Sequence, residues 1–295
     1  MSKLTLGPLL FHWSAEERRD FYFRMADEAA FDCVYLGEAV CSKREPFFEP
    51  YLQSVADRLR AAGKEVIYST LSLVTTEREI ATIKERCAAG FLVEANDVSC
   101  VHVLEGQPFV VGPFVNVFNE GTLDYLIRVG AKRLAMNIEL SAASVKILAK
   151  HKKALEKEVL VFGRQPLAVS MRCYHARLNG LNKDSCQFVC GLDADGLAVD
   201  TLEGQPLLTI NGTQTMSHGY AVLLKQLKDF QKMGITHFRL SPQATDMAQV
   251  ARLYRETLDG QRDPEEATTQ LRTLTGDVPF VNGYIHGQAG LEWVA

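Results

Sequence analysis

Three cysteines stand close together late in the chain: twelve residues separate Cys173 from Cys186, and three separate Cys186 from Cys190. Two thiolates three residues apart can grip one metal centre, and a long loop folding back can bring a third. A fourth donor must then come from elsewhere. Cys41 is the best candidate, because it follows an apolar run at 33–36 and so falls in a post-strand loop. If that strand and the one before the cysteine loop aim their carboxyl ends at a common mouth, four sulfurs can meet there. Four thiolates suit structural zinc and an iron-sulfur cluster alike. Structural zinc usually shows two close ligand pairs, whereas here one pair joins two distant single ligands, which tilts the reading toward a cluster. The other cysteines differ: Cys33 begins a buried strand, Cys87 lies on a helix and Cys100 lies in an apolar run. In such places a free thiol serves as a small core residue. Seven cysteines, an odd number without a secretory leader, point to reduced thiols or metal ligands rather than a disulfide framework.

The elements that must position these thiols follow from periodicity. Short apolar or β-branched runs occur at 4–10, 33–36, 65–73, 99–104, 109–114, 133–138, 159–162 and 235–240. Between them lie stretches of helical spacing at 15–29, 48–62, 76–89, 121–129, 142–155, 220–233 and 244–258. This alternation is the pattern of a parallel sheet covered by helices. Eight runs predict an α/β fold, a (β/α)8 TIM-barrel-like single domain over residues 1–295, with a doubly wound sheet as the alternative. Residues 164–219 break the alternation; they carry the three late cysteines and then a hairpin, 197–201 with 206–210, around Glu203 and Gly204. They read as an insertion after the seventh strand, on the side of a barrel where active sites gather.

Composition sets limits on function. The chain has 47% hydrophobic and 23% charged residues, as ordinary globular domains do. Its net charge is −4, and its densest basic spots, Lys43 with Arg44 and His151 with Lys152 and Lys153, are short enough to be solvated surface. Nothing demands a nucleic-acid partner. No apolar run reaches the ~20 residues needed to span a bilayer, and Gly7 and Pro8 interrupt the amino-terminal stretch, so a cytoplasmic protein without a membrane span is expected. Proteolysis is not expected, because the chain has neither a Gly-x-Ser-x-Gly elbow nor a His-Glu-x-x-His helix; Ser217 and His218 read as a surface loop pair.

Three stretches carry a resemblance: YLGEAVCSKR at 35–44, GPFVNVFN at 112–119 and DSCQFVC at 184–190. They are similar to the collagenase-like peptidase family, over nearly the whole chain, and within it to the branch that serves oxygen-independent ubiquinone biosynthesis. The resemblance implies a 4Fe-4S cluster on Cys41, Cys173, Cys186 and Cys190. It also implies a subunit of a ring hydroxylase that forms a heterodimer with UbiU, takes its oxygen from prephenate and receives its lipid substrate from the carrier UbiT. Electron transfer is the role expected of the cluster, since four cysteines leave no open iron. Glu38, Arg44, Asn116, Arg172 and His175 are expected near the mouth, to hold an anionic donor or tune the cluster. Arg44 and Arg172 would suit the prephenate carboxylates as a bidentate pair. An RNA-hydroxylating member of the same family and a zinc-stabilised scaffold are the alternatives.

Overall fold

The computed structural model describes residues 2–295. The chain opens with β1 (Lys3–Leu6), α1 (Ala15–Glu28), β2 (Cys33–Gly37), α2 (Glu45–Ala61), β3 (Glu65–Ser69) and α3 (Glu77–Ala88). It continues with β4 (Leu92–Ala95), α4 (Val98–Val103), β5 (Phe109–Val111), α5 (Glu120–Val129), β6 (Ala131–Ala135) and α6 (Ala142–Lys150). The long β7 (Glu156–Val169) leads to α7 (Tyr174–Leu178), β8 (Leu197–Asp200), β9 (Pro206–Asn211) and β10 (Gln214–Val222). The end is α8 (Leu227–Met233), β11 (His237–Leu240), α9 (Met247–Leu258), α10 (Pro264–Thr275) and β12 (Phe280–Val281).

Strands β1 to β7 pair in order, all parallel, and β11 closes the ring by pairing with both β1 and β7. The result is a closed eight-stranded parallel barrel with helices between its strands, the TIM-barrel α/β fold that the alternation predicts. Reciprocal caps help to set its helix starts: Ser14 with Glu17 opens α1, and Thr76 with Glu79 opens α3. Among the described residues, no helix is long and apolar enough to cross a membrane.

Strand β7 serves two sheets. Residues Glu158 to Phe162 pair with β11 in the ring, whereas Phe162 to Val169 run on beyond it and pair antiparallel with β10. Strands β9 and β8 extend that outer sheet as the expected hairpin.

Successive strand side chains face opposite sides, so each barrel strand divides its residues between two cores. Leu4, Leu6, Val34, Leu36, Phe238 and Leu240 pack outward into the main hydrophobic core. Cys33, Tyr35, Ile67 and Val110 form a separate small cluster on the opposite phase, inside the ring. Many of the other inward positions are polar: Thr5, Ser69, Glu94, Arg133, Glu158 and Arg239 are all buried. Barrel interiors are usually filled by branched aliphatic side chains, so an ion-paired interior sets this one apart.

Several sequence expectations are corrected here. The run 99–104 is not a strand but lies in and just after α4; the fourth barrel strand is β4. Asp97 accepts a hydrogen bond from the Ser99 amide at 2.8 Å and caps the helix, while Cys100, Val101 and Leu104 face the core at helical spacing. Strand β4 escaped notice because the buried Glu94 interrupts its apolar pattern. The helix expected over 220–233 is only α8; Tyr220, Ala221 and Val222 belong to β10 and pair with Arg164, Gly163 and Phe162. Ser217 and His218 therefore lie in a strand, not a surface loop. Strand β12 and helix α10 were not foreseen, and α6 ends at Lys150, short of the expected 155.

Candidate functional site

Two cavities lie on the carboxyl-end side of the barrel. Cys41, Cys173, Cys186 and Cys190 together line the smaller one, with Lys43, Arg44, Lys183 and Phe188 completing its wall. Local chemistry explains each thiol's position. Cys41 follows β2 in a turn held by Glu38, whose Oε1 accepts from the amides of Val40 (2.9 Å) and Cys41 (3.1 Å). Arg18 pairs with Glu38 at 3.5 Å, with both side chains buried, and lies over the Phe48 ring at 4.2 Å. Cys173 is the N-cap of α7 and accepts from the Ala176 amide through Sγ at 3.4 Å. Cys186 and Cys190 flank a tight turn in which Gln187 and Phe188 both adopt left-handed backbone, with φ of 48° and 55°. Such a conformation persists only where surrounding structure imposes it.

One hairpin turn gathers these segments. Gly212 opens the two-residue loop between β9 and β10 at φ +64°, a conformation such loops require and glycine adopts freely. Around it, Asn211 accepts from Arg44 Nη2 at 3.1 Å, Thr213 donates to the Val40 carbonyl at 3.0 Å, and the Gly212 carbonyl accepts from the His175 amide at 3.4 Å. Lys43 bridges to the Lys183 carbonyl at 2.7 Å, tying the Cys41 turn to the loop before Cys186. The ring of His12 packs against Phe47 and Phe188. Burial, then the Arg44 and Arg18 charges, lowers its pKa to about 4.

The fit of the donor set to a metal group rests on charge and softness. Burial pushes the Cys41 and Cys190 thiols up, and the nearby Arg44 guanidinium opposes that shift in both. Thiolates forming here would face Arg44, which is fully buried, and two lysines lining the same cavity. Four soft donors backed by three cations suit a thiolate-held metal group. Among the described residues, no three His, Cys, Asp or Glu side chains stand where they could hold a metal ion. The four thiols share one cavity.

The five further residues expected near the mouth divide. Glu38 and Arg44 build the thiol cavity as described. His175 lies behind it, fully buried, with Nε2 at 2.8 Å from Asp193 Oδ2 and Nδ1 without a partner among the described residues. Asn116, with φ 62°, lines the second cavity and accepts from Asn137 Nδ2 at 2.9 Å. Arg172 is exposed in the turn after β7, its amide on Ser170 Oγ, and lines neither cavity. The expected pair of Arg44 and Arg172 is therefore not assembled, because one is locked inside the fold and the other faces solvent.

The second cavity, about 300 Å³, is the barrel mouth. Its floor holds residues that sequence reasoning missed. Arg239 donates to Glu158 Oε1 (2.9 Å) and Glu94 Oε1 (2.6 Å). Glu158 also accepts from Thr5 and Tyr35, both at 2.5 Å, and Glu94 from Ser69 at 2.5 Å. Below them Arg133 donates to Tyr35 (3.1 Å) and reaches Glu65 and Glu156 (both 2.9 Å). Burial alone would raise the Glu158 carboxyl, but Arg239, then Arg133, outweighs it and holds the pKa at about 2. The available signal was charge at the inward phase of a strand: Glu94 in LVEA, Glu158 in EKEVL and Arg239 in HFRL.

The fold and these cavities define a TIM-barrel protein with a thiol-rich site beside its mouth. The chain belongs to the family described as Peptidase family U32, which matches residues 21–295. Among solved structures, it is similar to the tryptophan synthase complex of Pyrococcus furiosus at 11% identity and TM-score 0.40, covering 92% of this chain and 97% of that one. It is also similar to a dihydrodipicolinate synthase of Agrobacterium tumefaciens at 12% identity and TM-score 0.38, covering 91% and 78% respectively. A Mycobacterium tuberculosis tryptophan synthase follows at 10% identity and TM-score 0.39, covering 92% and 93%. At these values none of the three bears on function.

Proposed function

We propose that this chain is the counterpart of UbiV, an iron-sulfur subunit that works with UbiU in an oxygen-independent ring hydroxylase of ubiquinone biosynthesis. In this reading prephenate is the oxygen donor and UbiT the carrier that presents the lipid intermediate. The supporting observation is that four cysteines from two distant parts of the chain line one cavity, backed by a buried arginine and two lysines. A lone zinc ion needs four donors about 2.3 Å from one point. Here one close pair, Cys186 and Cys190, joins two distant single ligands, a spacing that tilts the set toward a cluster. A 4Fe-4S cluster bound there would supply one-electron transfer. The chain's own residues would do the rest: Glu38 fixes the Cys41 turn, the Gly212 hairpin joins the two cysteine segments, and Arg44 offsets negative charge at Cys190 and Cys41.

The decisive experiment is metal and sulfide analysis of anaerobically purified protein beside its Cys41→Ala and Cys186→Ala variants. About four irons and four sulfides per chain are expected in the wild type, with marked loss in each variant. Zinc as the stoichiometric metal would overturn the redox role.

A further inference from the structure

The fold draws together basic side chains that stand far apart in sequence. Lys43, from the loop after β2, and Lys183, from the loop before Cys186, both line the thiol cavity, and Lys43 Nζ donates to the Lys183 carbonyl at 2.7 Å. Arg172 precedes Cys173, and Arg177 lies on α7, which Cys173 caps. Five helical residues span only about 7.5 Å, so both arginines are rooted within about 10 Å of that cysteine. Among the described residues Arg172, Arg177 and Lys183 make no ion pair, and Lys43 has only the exposed Asp184, at 3.5 Å. Such an exposed pair is worth little and yields readily to a competing anion. Asp184 is also the only acidic residue between 170 and 190. The nearest other carboxylates, Glu38 and Asp193, are taken up by Arg18 and His175. A chain of net charge −4 thus carries a positive face over its thiols.

That face is also apolar. In α7, His175 and Ala176 are buried, while Tyr174, Arg177 and Leu178 share the exposed side at helical spacing, and Met171 is exposed just before the cap. Tyr, Met and Arg are the residue types enriched at the centre of protein–protein interfaces. Nucleic acid would gain from the cations but not from Met171 and Leu178, and Tyr174 alone would offer it a single stacking platform. One short helix and two loops make a small face, as suits the brief encounters of redox proteins, which bury under about 1,200 Å² in total. Cys41 and Cys186 are only half-buried, so the thiol cavity lies just beneath.

We propose that this face, centred on Arg172, Tyr174, Arg177 and Leu178, docks a small acidic electron-carrier protein. The carrier's carboxylates meet the unpaired cations, and its apolar centre covers Tyr174 and Leu178. No bond is made or broken in the encounter; the carrier's own iron-sulfur or flavin centre is the one-electron partner. Only that redox role rests on the iron-sulfur reading, whereas the docking face rests on the exposed residues themselves.

The test is binding of the full, anaerobically purified chain to a plant-type 2Fe-2S ferredoxin and a flavodoxin, both acidic, and to the basic cytochrome c. At least one acidic carrier should bind, its affinity falling at least about tenfold from ~0.03 M to ~0.3 M salt, and cytochrome c should not. Arg172→Glu combined with Arg177→Glu should weaken carrier binding at least about tenfold and flatten its salt dependence. Tyr174→Ala should weaken binding at every salt concentration and leave the slope unchanged, which keeps the test open even if the double reversal upsets folding. Arg128→Glu, exposed on the helix after the strand opposite β1 in the ring, should change nothing. Failure of both acidic carriers to bind, equal binding of cytochrome c, indifference to the folded variants, tighter binding of single-stranded poly(U), or loss of UbiU pairing on the same reversals would each overturn the assignment. Iron and sulfide content of every preparation reports separately on the cysteines: zinc with carrier binding intact would overturn the cluster reading and the electron role, and leave the docking face standing.

Discussion

The thiol cavity and the barrel mouth lie on the same side of the barrel but are built on opposite terms. The mouth is floored by strand residues whose charges are already matched: Arg239 between two glutamates, and Glu158 among three donors. The thiol cavity is assembled by loops, includes left-handed backbone at Gln187 and Phe188, and lifts the pKa of two of its thiols. A matched buried network is complete without a ligand, whereas buried thiols beside cations gain their partner only when something displaces their protons. The floor should therefore govern the stability of the empty protein, and the thiols its response to metal.

The largest expected effect breaks the floor. Arg239→Met would leave Glu94 and Glu158 buried without their shared cation, at a cost of about 3–5 kcal/mol in urea unfolding of the metal-free protein. Cys186→Ala, a half-buried change in a loop, should cost under about 1 kcal/mol in the same assay. Equal losses would erase the contrast between the regions.

Acid should act next, and through the same floor. Glu158 titrates at about 2 in the fold against an ordinary 4.5, so between those values the unfolded chain binds more protons. Stability from this group is complete above about pH 4.5 and falls away as pH drops toward 2. Urea midpoints of wild type and Glu158→Gln across that window should converge with acidification; a constant gap would remove Glu158 from the account.

A smaller effect sharpens the other side. Gly212→Ala would set a Cβ 2.4 Å from Arg44 Nη2 on backbone at φ +64°, so a loss of about 1–3 kcal/mol is expected. Because this turn gathers the cysteine segments, metal loading should fall by more than stability does. Unchanged loading, measured as metal per folded chain, would mean that the segments meet without the hairpin's help.

The barrel was legible because its outward strand faces are apolar, and Val34, Leu36, Phe238 and Leu240 advertise them. The inward face was not. Buried charge interrupts the very pattern that reveals strands, so β4, with Glu94 at its third residue, was passed over in favour of the apolar run in α4. Spacing picked out Cys173, Cys186 and Cys190, and loop position made Cys41 the best fourth candidate, but only the fold could show that all four line one cavity. Arg172 shows the opposite difficulty: its neighbour in sequence is Cys173, yet the N-cap geometry of α7 turns the thiol inward and leaves the arginine in solvent. Residue type named the candidates, and only pairing partners could say which were free to act.

Because β7 runs unbroken from Glu158 to Val169, parallel to β11 at one end and antiparallel to β10 at the other, its alignment is a single variable for both sheets. A slip of one residue would turn Glu158 out of the ring and at the same moment mis-thread the hairpin that reaches the cysteines. Mutational drift in either sheet is thereby policed by the other, and neither site can be re-aimed alone by sliding this strand.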